Sequence, residues 1–526
     1  MKKRDYLIVF LASVIFYAGL MAFQKSPGYM DADYYYANSV QLVMGKGFVE
    51  PFIWNFLNNP TKIPVPAHLY WMPLPSLISA GAMVLLGVSF VIARIPFLIL
   101  TAALATLSMA ICYSFSHNRT TAWVAAGFAL FSGYYSIYWT LPETFSLTAV
   151  LGAGFLLLSG LVFQKKFTQP TVWLGLGIIS GLIHLTRADG ILWLGIGICV
   201  WLVVCFDKGK LSINPHAWMG LLILITGYLS ITGWWYIRNV MVFGTPFQIG
   251  NSRTLWLTNY NETFNFPAAG LTFSHWLQSG ARQIILSRLD ALLQNLKTAL
   301  AVQGGIYLLP FILFGMWRMR KDPRTWVGVS AWLILLGVMS FVFPFAGARG
   351  GFLHSGSALQ VMFWSFAAIG VQGGVELGVK YRHWEMKRAL RNFGIILVIA
   401  SAMITMSLFL IRVVGTEPGK SLWQAPYESY FFAGKQLDQI DPQRNRIMVN
   451  NPPGFFLATH RECVVIPNGG ITEAKNAAKT FRVKYLLLDE NYVKELEKLY
   501  LLPSDQLGMK YLGEIKDFRL YEFEDY

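Results

Sequence analysis

The sequence predicts a polytopic α-helical membrane protein with a small α/β domain at its C-terminus. Of the 526 residues, 55% are hydrophobic and only 13% are charged, whereas soluble globular domains carry about 25% charged residues. Windows of about 20 apolar residues, long enough to cross a bilayer, recur as far as residue 413. After that position, short apolar runs alternate with charged segments. We therefore divide the chain into a membrane part, 1–413, and an extramembrane part, 414–526.

Twelve windows are candidate membrane spans. The first follows Lys2, Lys3 and Arg4, but no small-residue cleavage pattern comes after it, which favours a retained span over a signal peptide. The four cysteines are too few for a disulfide framework. The windows are 6–23, 73–90, 93–114, 121–139, 143–163, 171–186, 189–206, 217–236, 298–317, 326–345, 355–375 and 391–413.

The positions of basic residues decide how many windows cross, because cytoplasmic loops are rich in Lys and Arg. With twelve crossings, the first basic cluster would be cytoplasmic and every later one extracytoplasmic. Segment 73–90 is the weakest span, since prolines open it and Ser and Gly dilute it, and we predict that it lies in the outer interface. Eleven crossings then place the N-terminus and all six clusters in the cytoplasm and the C-terminus outside. The clusters are residues 2–4, Arg119, residues 165–166, Lys208 with Lys210, residues 318–324 and residues 380–391.

This topology also explains the net charge of +15, and the sequence contains no nucleic-acid-binding motif. The expected contacts of the basic loops are with membrane lipids of the cell or inner membrane. Ionisable groups are almost absent from the span interiors, with His184 the nearest exception. Proton- or ion-coupled transporters place such groups at mid-membrane, so we expect the chemistry at the outer surface.

The C-terminal part predicts an α/β domain of roughly 100 residues, near the lower end of independently stable size. Its role stays open between recognising an acceptor, covering a cavity and bracing the long outer loop 237–297. Predicted strands are 446–449, 463–466 and 485–488, predicted helices are 472–480 and 491–500, and a hairpin or edge strand is predicted within 511–523.

Seven short motifs lie at the predicted outer ends of the spans. They are Asp31 Ala32 Asp33 Tyr34 Tyr35, His68 Leu69 Tyr70 Trp71 Met72 Pro73 Leu74, Leu141 Pro142 Glu143 Thr144, Leu185 Thr186 Arg187 Ala188 Asp189 Gly190 Ile191, Trp234 Trp235 Tyr236 Ile237 Arg238 Asn239, Phe243 Gly244 Thr245 Pro246, and Arg349 Gly350 Gly351 Phe352 Leu353 His354 Ser355.

In their order and common location, these motifs resemble the GT-C glycosyltransferases that use a polyprenyl-phosphate sugar donor. That group includes protein O-mannosyltransferases and the aminoarabinose transferases of lipid A. The resemblance covers residues 1–413 and implies a lipid, glycan or protein acceptor and a single displacement that inverts the anomeric carbon. The first motif is Asp-Ala-Asp where the mannosyltransferases have adjacent Asp and Glu. The second acid is Glu where several relatives have Asp, so metal use and the acceptor stay open.

The chemistry of such a transfer assigns roles to the outer polar residues. A carboxylate suits the base that takes the proton of the incoming hydroxyl or amine, and we predict Asp31 in this role. Asp33 and Glu143 complete the predicted catalytic set. Because positions i and i+2 do not share a helix face, Asp33 can join Asp31 only if the segment is extended or turned. Negative charge grows on the departing phosphate and calls for cations, for which we predict Arg187, Arg238 and Arg349.

His68, Asp189 and His354 complete the predicted substrate-binding residues. Oxygen ligands from the three catalytic acids Asp31, Asp33 and Glu143 suit a divalent cation such as Mg or Mn, whose requirement stays open. Structural roles compete with these assignments. The acids are also suited to capping helices, Arg187 to pairing with Asp189, and the other arginines to binding lipid headgroups.

Two other function classes remain beside the transferase: a transporter or flippase of a lipid-linked glycan, and a non-catalytic assembly protein. The distances between the predicted acids and arginines separate the transferase from the other two classes. If Asp31 or Asp33 lay more than about 15 Å from Glu143 and from all the outer arginines, the two would be too far apart for one hydrogen-bonded site, and the transferase mechanism would fail.

Overall fold

The computed structural model describes residues 1–167, 169–207, 210–211, 214–247, 249–417 and 421–524. Up to residue 414 the chain is a bundle of helices joined by short turns and two long loops. The helices are Lys3–Met21, Met30–Val43, Leu74–Leu86, Phe90–Ser116, Arg119–Leu130, Thr144–Lys165, Pro170–Thr186, Ile191–Cys205, Pro215–Phe243, Ile249–Arg253, Phe273–Gln278, Gly280–Thr298, Leu309–Arg318, Pro323–Gly337, Pro344–Ala346, Phe352–Gly356, Gln360–Arg382 and Met386–Phe409.

Polar residues and glycine set the ends of several bundle helices. Ser89, Asn118 and Asn214 accept hydrogen bonds from first-turn amides at 3.2, 3.1 and 2.9 Å, which satisfies amides that have no partner within the helix. Gly244 ends Pro215–Phe243 with a φ of 72°, a left-handed conformation that favours glycine. The apolar runs between such positions supply the length of each helix.

The chain is an integral, multi-pass membrane protein, as predicted. In the part of the chain that the structure describes, eight helices are long and apolar enough to cross a bilayer. They are Lys3–Met21, Phe90–Ser116, Thr144–Lys165, Ala188–Cys205, Pro215–Phe243, Pro323–Val342, Pro344–Arg382 and Met386–Val414.

The other predicted spans coincide with shorter helices, Arg119–Leu130, Pro170–Thr186 and Leu309–Arg318. Segment 73–90 holds the helix Leu74–Leu86. Its 13 residues extend about 20 Å at 1.5 Å per residue. This length is less than the roughly 30 Å hydrocarbon core and is compatible with the predicted interfacial position. Arg119–Leu130, with 12 residues, and Leu309–Arg318, with 10, are shorter still, so helix length does not separate segment 73–90 from these predicted spans.

The predicted basic clusters mark one end of the bundle. Arg119 pairs with Asp5 at 2.6 Å, which joins the start of the first helix to the turn after residue 116. Arg318 pairs with Glu376 at 2.6 Å and joins two further helix ends. Lys208 lies outside the described residues. That this end faces the cytoplasm stays a prediction from the positive charge.

The extramembrane part is a six-stranded mixed sheet with helices, which confirms the predicted small C-terminal domain. Four neighbouring strands run parallel, and the last two form an antiparallel hairpin. In spatial order the strands are Phe52–Ile53, Cys463–Val465, Arg446–Val449, Val483–Leu488, Phe518–Phe523 and Met509–Ile515. The helices of this part are Ala425–Ile440, Pro452–Thr459, Ile471–Phe481 and Glu497–Leu501.

Several features of this domain differ from the sequence prediction. Its edge strand Phe52–Ile53 comes from the first outer loop, residues 24–72, far away in sequence. The predicted helix 491–500 is a short 3₁₀ turn followed by Glu497–Leu501, and the helices Ala425–Ile440 and Pro452–Thr459 are absent from the prediction. Pro452–Thr459 begins with two prolines, a residue that is common in loops. Proline is nevertheless favoured in the first turn of a helix, and Asn451 caps this one by accepting from the Gly454 amide at 3.1 Å.

Candidate active site

A cavity of about 430 Å³ opens at the end of the bundle opposite the basic clusters. Its walls come from the first outer loop, the turn after Pro170–Thr186, the second outer loop, residues 237–297, and the segment 338–354. Of the predicted site residues, five line it: Asp31, Arg187, Asp189, Arg349 and His354.

Asp31 lies in the first turn of Met30–Val43, where the chain leaves the first span. Gly28 directs the chain into this helix with a φ of 86°, and the Trp423 ring occupies the space that a Cβ would need. The Asp31 side chain is 27% exposed. Burial raises its pKa to about 6; Glu143 contributes to this rise, whereas His354 and Arg187 oppose it.

Glu143 and His354 form a buried pair beside Asp31. His354 Nδ1 lies 2.9 Å from Glu143 Oε1, and His354 Nε2 lies 3.7 Å from Asp31 Oδ2. The Phe145 ring stacks on the His354 imidazole, with 4.1 Å between the ring centres. Burial alone would raise the pKa of Glu143, but the interaction with His354 and hydrogen bonds from Thr144 hold it below its usual range.

Glu143 therefore has the structural role of a cap as well as a place in the site, since its Oε2 accepts from the Phe145 amide at 3.3 Å. For Asp31, the distance criterion set by the sequence is met. The ligand atoms of Asp31, Glu143 and His354 all lie within 4.8 Å of one another, well inside 15 Å.

Two arginines supply positive charge to the cavity wall. Arg187 Nε donates to Asp189 Oδ1 at 2.8 Å, and Arg187 Nη2 donates to the Gly351 carbonyl at 3.4 Å. The predicted pairing of Arg187 with Asp189 is thus present, and both side chains line the cavity. Arg349 is exposed, with its guanidinium 4.8 Å from the centre of the Tyr260 ring.

Asp33 lies outside the cavity, two positions along the helix from Asp31. Its Oδ2 accepts from Asn451 Nδ2 at 2.9 Å, so it faces the extramembrane domain. Burial raises the pKa of Asp33 to about 7, against the effect of the Asn451 hydrogen bond. The helical turn of roughly 100° per residue separates the two side chains, as the i and i+2 spacing indicates.

His68 and Arg238 also lie outside the cavity. His68 is buried, with Nδ1 3.2 Å from the Trp71 carbonyl, and burial lowers its pKa to about 3. Arg238 donates to the Ala67 carbonyl at 2.9 Å, and its guanidinium lies 4.7 Å from the Trp235 ring. These contacts place His68 and Arg238 behind the cavity wall, where His68 contacts the backbone of the cavity residue Trp71.

Sequence reasoning missed Arg94, a buried arginine near the outer end of Phe90–Ser116. It donates to the carbonyls of Met21, Gln24 and Thr140 at 3.2, 2.8 and 3.2 Å. It therefore ties together the segments that lead to Asp31 and Glu143. A lone charge at the end of an apolar run is a signal that the sequence contains.

Two carboxylates and an imidazole, from Asp31, Glu143 and His354, form a group of the kind that holds a divalent cation. The sequence predicted Asp31, Asp33 and Glu143 for that purpose. The structure places His354 beside Asp31 and Glu143, and Asp33 on the other side of its helix.

The whole chain resembles solved structures of membrane transferases. ArnT from Cupriavidus metallidurans bound to undecaprenyl phosphate matches with a TM-score of 0.58 and 12% identity, over 99% of this chain and 98% of that chain. The Archaeoglobus fulgidus oligosaccharyltransferase AglB, in complex with an inhibitory peptide and a dolichol-phosphate, matches with a TM-score of 0.55 and 13% identity, over 95% of this chain and 71% of that chain. The same archaeal enzyme with Zn and sulfate matches with a TM-score of 0.55 and 14% identity, over 91% of this chain and 68% of that chain.

The chain therefore shares the fold of ArnT and AglB, and the GT-C-like fold predicted from the motifs is confirmed. Neither a family model nor a curated protein matches the chain by sequence. At 12–14% identity the likeness extends to architecture, and function is argued from the site.

Proposed function

We propose that the protein is a glycosyltransferase that moves a sugar from a polyprenyl-phosphate carrier to a lipid, glycan or protein acceptor. The observation that carries the proposal is a single cavity that contains a carboxylate of raised pKa, Asp31, and two arginines, Arg187 and Arg349. A base and a phosphate-binding cation are the two groups that this displacement needs.

In the proposed step, the acceptor oxygen or nitrogen attacks the anomeric carbon while the bond from that carbon to the phosphate oxygen breaks. The acceptor proton passes to the Asp31 carboxylate. The carrier leaves as a phosphate monoester with one more negative charge, which Arg187 and Arg349 stabilise. A single displacement of this kind inverts the anomeric carbon.

The cavity is at the bundle end opposite the basic clusters, which supports transfer at the extracytoplasmic face. The apolar part of the wall, with Val338, Met339 and Phe343, suits a prenyl chain beside the charged part. The solved neighbours bound to undecaprenyl phosphate and dolichol-phosphate support a carrier of this class.

Transfer is tested with the purified protein in lipid nanodiscs. A panel of polyprenyl-phosphate sugars, labelled in the sugar, is incubated with an envelope lipid and glycan extract, and free polyprenyl phosphate is measured. We expect release that depends on the extract and on Asp31. Movement of intact carrier across vesicle membranes without release would instead support a flippase.

The pH dependence of transfer follows from the pKa of Asp31. A base acts in its ionised form, and the pKa of this carboxyl is raised to about 6. We therefore expect the rate in chelator-treated protein to fall about tenfold per pH unit below pH 6 and to level off above it. An acid limb near pH 4, the ordinary range for Asp, would contradict this assignment.

The residues of the site fit a divalent cation, which Asp31, Glu143 and His354 would hold. When bound, it would offset negative charge on the departing phosphate, and Mn²⁺ is a suitable probe because carboxylate ligands suit it. We expect Mn²⁺ binding, followed by electron paramagnetic resonance, to weaken at least tenfold in Asp31→Asn and to stay unchanged in Asp33→Asn. Equal weakening in both variants would contradict this ligand set.

A further inference from the structure

The extramembrane domain is assembled from three separate segments of the chain. Its buried core combines Ile53 and Phe56 from the first outer loop with Leu257 and Leu271 from the second outer loop, and both pack with the C-terminal strands around Val464. The sheet itself includes Phe52–Ile53 as an edge strand parallel to Cys463–Val465. The C-terminal part is thus packed together with both long outer loops.

These same two loops carry walls of the cavity. Trp54 directly follows the edge strand, and Tyr260 and Thr263 lie in the second outer loop, and all three line the cavity. None of the described residues after 413 does so. The C-terminal part therefore affects the cavity through the segments against which it packs, among them both outer loops.

Two hydrogen bonds from Asn468 hold the second outer loop next to the residues of that loop that line the cavity. Asn468 Nδ2 donates to Asn265 Oδ1 at 2.7 Å, and the Asn468 amide donates to the Phe264 carbonyl at 2.9 Å. Asn265 is two positions from Thr263 and five from Tyr260. The Tyr260 ring in turn lies 4.8 Å from the Arg349 guanidinium, within range of a cation–π interaction.

We propose that Asn468 is a positioning residue for donor binding, which it supports by holding the Tyr260 loop against Arg349. This inference rests on the proposed function, because it treats Arg349 as a ligand of the carrier phosphate. Arg349 is exposed, and the backbone departs from helical geometry at Arg349 and at Gly350, whose φ is 122°. The Tyr260 ring is the contact that orients the Arg349 guanidinium, and a pre-oriented cation binds more tightly.

The test measures binding of undecaprenyl phosphate, the probe used, to the full-length protein in nanodiscs. We expect Asn468→Ala and Asn265→Ala each to weaken binding about fivefold, the usual effect of one lost hydrogen bond, and to change the maximal rate less than twofold. Asn476→Ala is the matched control, since Asn476 is exposed on Ile471–Phe481 of the same domain.

A double-variant cycle separates positioning from general loss of structure. If Asn468 acts through Arg349, then Asn468→Ala adds little to the effect of Arg349→Gln, whereas independent effects add. Additive losses, or binding by Asn468→Ala equal to that of Asn476→Ala, would overturn the inference while leaving the transferase proposal in place. Failure of the unaltered protein to bind the probe would instead count against the proposed function itself.

Discussion

Replacing Asp31 with asparagine is expected to lower sugar transfer by about 10²–10⁴-fold, the usual contribution of a general base. Asparagine keeps the shape of the side chain but cannot accept the acceptor's proton. Because Asp31 is partly exposed at the cavity, the substitution leaves no new buried charge without a partner. Thermal unfolding of the variant is therefore expected to match that of the unaltered protein.

Asp33→Asn is the matched control, since it makes the same change two positions along the same helix. Asp33 faces Asn451, whose amide can donate to an asparagine oxygen as well as to a carboxylate. We expect this variant to retain transfer within a few-fold. If Asp33→Asn were inactive and Asp31→Asn active, the base would have to be reassigned and the cavity would not be the site of transfer.

Replacing Arg187 with glutamine is expected to weaken binding of undecaprenyl phosphate by about 10–100-fold. A hydrogen bond to a charged group contributes about 1.5–3 kcal/mol, and Arg187 lines the cavity with 15% of its side chain exposed. The dissociation constant, measured by titration in nanodiscs, tests this value.

A double variant excludes an indirect effect through Asp189. Arg187→Gln leaves Asp189 without its ion pair, and the unpaired carboxylate would itself repel a phosphate. In Arg187→Gln combined with Asp189→Asn that repulsion is absent, and we still expect weak binding because the guanidinium is lost. Recovery of affinity in the double variant would mean that Arg187 only neutralises Asp189 and does not contact the carrier. Arg282→Gln, an exposed arginine on Gly280–Thr298, is the control for loss of one positive charge.

The predicted site residues that line the cavity share one property: each lies close in sequence to the predicted outer end of a span. Topology alone brings such ends together, which is why Asp31, Arg187 and His354 meet. Arg238 is also at an outer end, yet it packs on Ala67 and Trp235. Whether a residue at a helix end points into a cavity depends on helix rotation, which a single sequence does not specify.

The extramembrane domain illustrates the same limit. Its central strands Arg446–Val449 and Val483–Leu488 are short buried runs, and composition and periodicity are enough to predict them. The edge strand Phe52–Ile53 has only two residues and pairs with a segment about 400 positions away. Local pattern has no information about such a pairing.

By itself, the sequence determined that this protein crosses the membrane many times, that its basic loops share one end, and that the candidate site residues lie towards the other. Those properties depend on hydropathy and charge, which act segment by segment. Tertiary structure alone decided that Asp31 faces the cavity while Asp33 faces Asn451, that Glu143 pairs with His354, and that three chain segments build the extramembrane domain. These outcomes depend on how helices rotate and pack against one another, and packing is a property of the whole fold.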